Sequence, residues 1–169
     1  MAAVNWPANV SERQRPSASK ILPHVYLGNF ASSANPSFLR DRNIKYVLNV
    51  TPSPSFNPQP DIEYLSIPIN DNEKEDILSN FEQSIEFINK AGPDKHVLVH
   101  CHFGISRSVT IVIAYVMKEK GWPLARAMKF VRDRHPNGEP NFGFFHQMCE
   151  YEKKLYGKVS MTEEEFAFF

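Results

Sequence analysis

Cysteine is scarce in this chain: there are two among 169 residues, Cys101 and Cys149, far apart. That excludes a disulfide framework, and no Cys-x-x-Cys pair offers a structural metal site. A chain that keeps free thiols suits a reducing, intracellular compartment. Net charge is missing too, since 19 basic residues balance 19 acidic ones. With no global field to gather nucleic acid or an anionic membrane, any anion site has to be local. No apolar run approaches membrane-spanning length, and no start resembles a secretory signal. Ala2 stands where a myristoylation signal needs glycine. There is no internal repeat. The chain therefore reads as soluble, with a length that suits one domain and a real core.

One stretch concentrates the chemistry. A β-branched run, His96-Val97-Leu98-Val99-His100, leads into Cys101-His102-Phe103-Gly104-Ile105-Ser106-Arg107-Ser108, and an apolar segment from Val109 to Met117 follows. The pattern predicts strand, tight loop and helix, with a cysteine at the strand's carboxyl end and an arginine in the first helical turn. Such a loop turns successive backbone N–H groups into one concavity, and the helix N-terminus behind it carries partial positive charge. Both favour a dianion, and cysteines at helix N-termini favour the thiolate. Cys101 is the candidate nucleophile. Arg107 is the candidate phosphate clamp, because a guanidinium matches two phosphoryl oxygens side by side. Gly104 supplies the backbone freedom the turn needs. An inert buried thiol is the ordinary alternative for a free cysteine. A metal site on His100, Cys101 and His102 is another, but no further cysteine or compact histidine cluster completes a tetrahedral set. No metal or cofactor is expected.

Residues 1–19 are polar and carry Pro7 and Pro16, which predicts a flexible leader. Val25-Tyr26-Leu27 after Pro23 predicts a short edge strand. Asn35-Pro36 starts a helix, Ile44 to Val50 is a central strand, and Thr51 to Pro60, with four prolines, is a loop. Ile62 to Ile67 is the next strand. Leu78, Phe81, Ile85 and Ile88 keep helical spacing within 77–90, with Asp76 to cap that helix and Gly92-Pro93 to stop it. Val97 to Val99 predicts a buried strand and Val109 to Met117 a central helix closed by Gly121. Pro123 opens another helix, and Asn141 caps a last one that runs through Tyr156 to Gly157. Residues 158–169 form an acidic and aromatic tail, read as a disordered or loosely docked end rather than a docking peptide. Together these predict an α/β fold: a central, mostly parallel sheet flanked by helices, with the phosphate loop between a buried strand and a central helix. In such sheets ligands lie beyond the strands' carboxyl ends, where Cys101 falls.

His100-Cys101-x5-Arg107-Ser108 resembles the phosphate loop of the cysteine-dependent protein phosphatases. With Gly104 and Ser106 it is similar to the dual-specificity branch, and within it to MAP-kinase phosphatase catalytic domains. Tyr26-Leu27-Gly28-Asn29, Leu48-Asn49-Val50-Thr51-Pro52, Ile67-Pro68-Ile69-Asn70-Asp71-Asn72 and Pro140-Asn141-Phe142 resemble further segments of that family, in its order. The likeness marks residues 20–157 as the catalytic domain. It implies hydrolysis of phosphotyrosine and phosphoserine or phosphothreonine through a cysteinyl phosphate, with no cofactor.

The resemblance also distributes roles. The phosphate is bound by the loop residues His102, Phe103, Gly104, Ile105, Ser106 and Arg107. Asp71 matches the general-acid position and Ser108 the hydroxyl that assists the departing thiolate. Asp76 and Asp61 are rival acids, but Asp76 has a helix to cap and Asp61 precedes a strand. His100 is read as ordering the loop, not as a base. Asn141 supports the loop or caps its helix, while His146 and Cys149 are packing or surface residues. No lysine stands among the variable loop positions, which disfavours a multiply charged lipid headgroup. The long phosphotyrosine-recognition segment of strictly tyrosine-specific enzymes is absent, which points to a shallow pocket. The expected partner is a phosphoprotein, by resemblance a MAP kinase, and neither nucleic acid nor a membrane. The implied place is the cytoplasm, with the nucleus also open. Two rival functions remain: a phosphate-binding module without turnover, whose mark is a replaced nucleophile, and an enzyme acting on phosphoinositide, RNA ends or glucan. The chain reads as a small domain-only phosphatase or as an excised catalytic domain.

Overall fold

The strands, in chain order, are β1 (Ala18–Leu22), β2 (Val25–Asn29), β3 (Ile44–Asn49), β4 (Glu63–Ser66) and β5 (His96–Cys101). The computed structural model describes residues 15–53 and 58–168. The strands form one sheet in the order β1-β2-β5-β3-β4, parallel throughout except for the antiparallel β1–β2 pair. The helices are α1 (Phe30–Ser33), α2 (Pro36–Asp41), α3 (Phe81–Ile88), α4 (Arg107–Lys120), α5 (Leu124–Arg134), α6 (Phe142–Tyr156) and α7 (Glu163–Ala167). A 3-10 turn, Leu78–Asn80, leads into α3. This is the expected α/β class, a sheet with helices on both faces.

The centre is apolar because both faces of β5 are covered. Its side chains alternate: Val97, Val99 and Cys101 join the large core with α4, whereas Leu98 joins Phe38, Leu39 and Val47 on the other side. Every residue of α4 from Arg107 to Met117 is buried, which explains an apolar stretch without a polar face. Gly121, at φ 63°, closes α4 by donating its N–H to the Met117 carbonyl. Asn35 and Asn141 cap α2 and α6 through their side chains. Asp76 accepts from Ser79 N at 3.0 Å, so it serves the 3-10 turn ahead of α3.

Three expectations change. Val25–Leu27 belongs to an interior strand, because β1 pairs alongside and takes the edge. Only Ile21 and Leu22 of β1 are buried, so its pattern was too short to read as a strand. β1 also begins within the segment read as leader; residues 1–14 of that segment lie outside the described residues, as do 54–57 of the predicted loop. The tail is not loose. Phe166 of α7 is buried and stacks on Phe145 at 4.2 Å between ring centroids and 11° between planes. The fully buried Glu152 of α6 holds the segment before it, its carboxylate accepting from Leu124 N and Ser160 N at 2.8 Å each. Among the described residues no helix is long and apolar enough to cross a membrane.

His100 lies wholly buried in β5, and burial pushes its pKa from 6.5 down to about 4. The unfolded chain takes up that proton near pH 6.5 and the folded chain only near 4, so stability falls as pH drops through this window. Between pH 7 and pH 5 this group alone costs about 2 kcal/mol. His24 and His135, also lowered chiefly by burial, act in the same direction. Urea unfolding at the two pH values checks this: the wild type loses at least that much, and His100→Asn correspondingly less.

Candidate active site

Cys101 ends β5 with its side chain on the α4 face, so the sulfur sits under the start of that helix. It is 1% exposed, yet it is not packed as an inert thiol. Gly104 donates its backbone N–H to Sγ at 3.3 Å, and Ser108, in the first turn of α4, donates its hydroxyl at 3.2 Å. Both donors converge on the sulfur from the loop and from the helix start. The loop between them is held from outside. The His102 carbonyl accepts from Phe30 N at 3.1 Å, and the Ile105 carbonyl accepts from Glu139 N at 2.7 Å. The His135 ring donates from Nε2 to the Gly104 carbonyl at 2.7 Å. A trans peptide points its N–H away from its C=O. These three bonds therefore commit the amides of Phe103, Ile105 and Ser106 to the side opposite the bonded carbonyls.

Gly104 occupies φ 72°, and a Cβ there would lie 2.8 Å from the Gly28 carbonyl oxygen. Conformation and space both require glycine at this point of the turn.

Arg107 is buried, with Nη1 donating to the Ile69 carbonyl at 3.1 Å. Its Nε–H has no hydrogen-bond partner among the described residues. That Nε lies 3.6 Å from Asp71 Oδ2, in an ion pair whose carboxylate is 35% exposed. Asn141 Nδ2 donates to the other Asp71 oxygen at 3.0 Å. Asn141 also donates its backbone N–H to Ser106 Oγ at 3.2 Å, while its Oδ1 accepts from Phe144 N. The cap and the site contact coexist on one side chain. The sequence-predicted residues Cys101, Arg107, Asp71, Ser108, Ser106 and Asn141 thus meet, although Asp71 is supplied by the loop after β4. His100 donates Nδ1–H to the Cys101 carbonyl at 3.3 Å, and its own carbonyl accepts from Val50 N. Depressed to about 4, it stays neutral. His102 and Phe103 pack edge to face at 4.5 Å, with Phe103 half exposed at the rim. His146 pairs with Glu163 at 3.3 Å on the surface. Burial, then Glu152 and Glu163, pushes the Cys149 thiol up to about 11, which leaves it protonated at neutral pH. No group of three or more metal-ligating side chains occurs among the described residues.

Sequence reading missed three supports. His135 also accepts at Nδ1 from the Ser19 hydroxyl, 2.8 Å away, and so ties β1 to the loop. Gly143 lets α6 approach the acid's loop so closely that a Cβ would fall 2.0 Å from the Glu73 carbonyl oxygen. Gln147, one turn on, accepts from Ile77 N and Leu78 N at 2.9 Å and donates to the Glu75 carbonyl at 2.9 Å. A glycine and a glutamine four apart, just after the Asn141 cap, were the available signal.

An anchored cysteine under oriented amides thus stands at the carboxyl end of a parallel strand of an α/β sheet. The family model for the dual specificity phosphatase catalytic domain matches residues 25–154, and the chain belongs to that family. Mouse dual specificity protein phosphatase 8 is 45% identical over 142 residues, 81% of this chain and 21% of its own length. Dual specificity protein phosphatase Mpk3 of Drosophila melanogaster is 44% identical over 140 residues, 80% of this chain and 34% of its own. The chain thus spans about a fifth of the first of these curated relatives and about a third of the second. Human DUSP28, a solved structure, superposes with a TM-score of 0.77 at 30% identity, covering 83% of this chain and 95% of that one. The human tyrosine phosphatase-like serine/threonine/tyrosine-interacting protein gives 0.74 at 33% identity, covering 81% and 96%.

Two substitutions test the missed supports. Gly143→Ala displaces the acid loop and lowers kcat by about tenfold, with competitive inhibition by vanadate unchanged, because the cup is untouched. His135→Ala frees the Gly104 carbonyl and weakens vanadate inhibition by about tenfold, the loss of one charge-assisted contact. Steady-state kinetics with an aryl phosphate reads both effects.

Proposed function

We propose that this chain is a dual-specificity protein phosphatase, hydrolysing phosphotyrosine and phosphoserine or phosphothreonine through a cysteinyl phosphate. One observation carries it: the Cys101 sulfur accepts from Gly104 N–H and Ser108 O–H beneath a loop whose neighbouring amides are oriented from outside. The phosphoryl group lies in that loop, bound by the residues from His102 to Arg107. Arg107 grips two of its oxygens, and its Nε–H is the donor still to be filled. As the P–O bond to the substrate breaks, those oxygens spread, and a rigid fork holds them better than in the ground state.

The Cys101 sulfur attacks phosphorus in line, forming an S–P bond, while Asp71 gives its proton to the leaving alkoxide or phenoxide. Asn141 holds Asp71 at the rim. In the second step Asp71 takes a proton from water, whose oxygen attacks phosphorus. The S–P bond breaks, the sulfur leaves as thiolate, and Ser108 donates to it. Inorganic phosphate departs. His100 remains neutral and orders the strand end. The catalytic unit takes in β1 from Ala18 and the docked helix α7 together with the residues between them. The substrate is a phosphoprotein, by resemblance a MAP kinase, met in the cytoplasm or nucleus. A binding module without turnover expects a replaced nucleophile, and Cys101 is present.

Cys101→Ser removes turnover of an aryl phosphate below detection while phosphopeptide binding persists. Equal rates in variant and wild type reject the mechanism. Asp71→Asn lowers kcat by about 100-fold for phenyl phosphate and less for p-nitrophenyl phosphate, whose leaving group needs little protonation. An equal loss with both substrates moves the acid elsewhere.

A further inference from the structure

The tail that sequence reading set aside forms one side of a cavity of about 630 Å³ beside the phosphate loop. Its near side is Ile105, Ser106, Asp71 and Asn141, residues of the loop and of the acid at its rim. Its far side is Phe142, with Phe166 and Phe168 from the C-terminal helix and its end. Phe142 is 41% exposed and Phe168 94% exposed, so two aromatic faces meet water here. α7 is held in place by Phe166, which also meets Phe142 edge to face at 5.1 Å, by the His146–Glu163 pair and by the Thr162–Glu165 capping box. We propose that this cavity is a substrate subsite, built in part by the chain's own C-terminal helix. It takes an apolar side chain within two residues of the phosphorylated one and rejects an acidic side chain there.

The proposal rests on the phosphatase reading and adds what that reading leaves open, the sequence around the phosphoresidue. Continuity assigns the position. The cavity shares a wall with the loop that holds the phosphate, and an extended chain advances about 3.3–3.6 Å per residue, so a near neighbour enters it. Chemistry assigns the occupant. Phenyl rings and Ile105 line the cavity, and burying an apolar side chain among them removes both surfaces from water. Glu73 and Glu139 are among the lining residues with Arg132, two acidic residues to one basic, Asp71 being paired with Arg107. An acidic neighbour therefore meets like charge.

The test is a set of phosphotyrosine peptides with Leu or Asp at each of the two positions on either side, measured with the full chain. Each kcat/KM is divided by that for p-nitrophenyl phosphate, which reaches only the phosphate loop. The wild type prefers Leu to Asp by about tenfold at one or more positions. Phe166→Ala, which frees α7, and Phe168→Ala, whose side chain packs on nothing that folding needs, each bring that preference below about twofold. A wild type without preference, or a preference unchanged in both variants, overturns the subsite. Failure of the wild type to hydrolyse any of these substrates overturns the phosphatase reading and the subsite with it, whereas turnover of p-nitrophenyl phosphate without peptide preference overturns the subsite alone.

Discussion

A peptide group cannot present its N–H to one side without sending its C=O to the other. A loop that gathers amides around an anion must therefore find donors for several carbonyls facing outward. Here the donors are the Phe30 N–H, the His135 ring and the Glu139 N–H, brought from α1, the end of α5 and the turn before α6. The loop's inner surface is thus decided by contacts on its outer one. Cys101, Gly104 and Ser108 complete the arrangement from within. The Cys101 sulfur accepts two hydrogen bonds at the floor of this loop.

Asp71 reaches this loop from elsewhere in the chain, and α6 sets the distance. Its Asn141 cap contacts Ser106 with its backbone and Asp71 with its side chain. Gly143 permits close approach to Glu73, and Gln147 pins Glu75, Ile77 and Leu78. Asp71 and the loop after Cys101 are thereby referred to one rigid element, although about thirty residues separate Asp71 from Cys101. The same helix carries Phe145, on which the tail docks. Site, acid loop and tail share one support, which places the tail against the cavity next to the phosphate loop.

Much of this was legible in the residues. A β-branched run ending in Cys101, then Gly104, then Arg107 opening an apolar helix, gives strand, loop and helix by local rules. Asn35 and Asn141 are caps by the same rules, because the cap bond is made three residues away. Legibility failed where a contact spans the fold. β2 read as an edge because nothing local shows that Ala18–Leu22 pairs with it. The tail read as loose because Phe166 finds Phe145 only once α6 exists. His135 carried no local signal, since its partners Ser19 and Gly104 are distant in the chain.

By itself the sequence determined the types of the central elements, the α/β class and the strand, loop and helix that carry Cys101, Gly104 and Arg107. Each follows from periodicity, capping and side-chain chemistry acting within a few residues. Tertiary structure alone decided which strand is the edge, how Asp71 meets Arg107, which groups orient the loop's amides, and that the tail walls a cavity. Those depend on bonds and packing between segments far apart along the chain, whose geometry exists only after the sheet has brought them together.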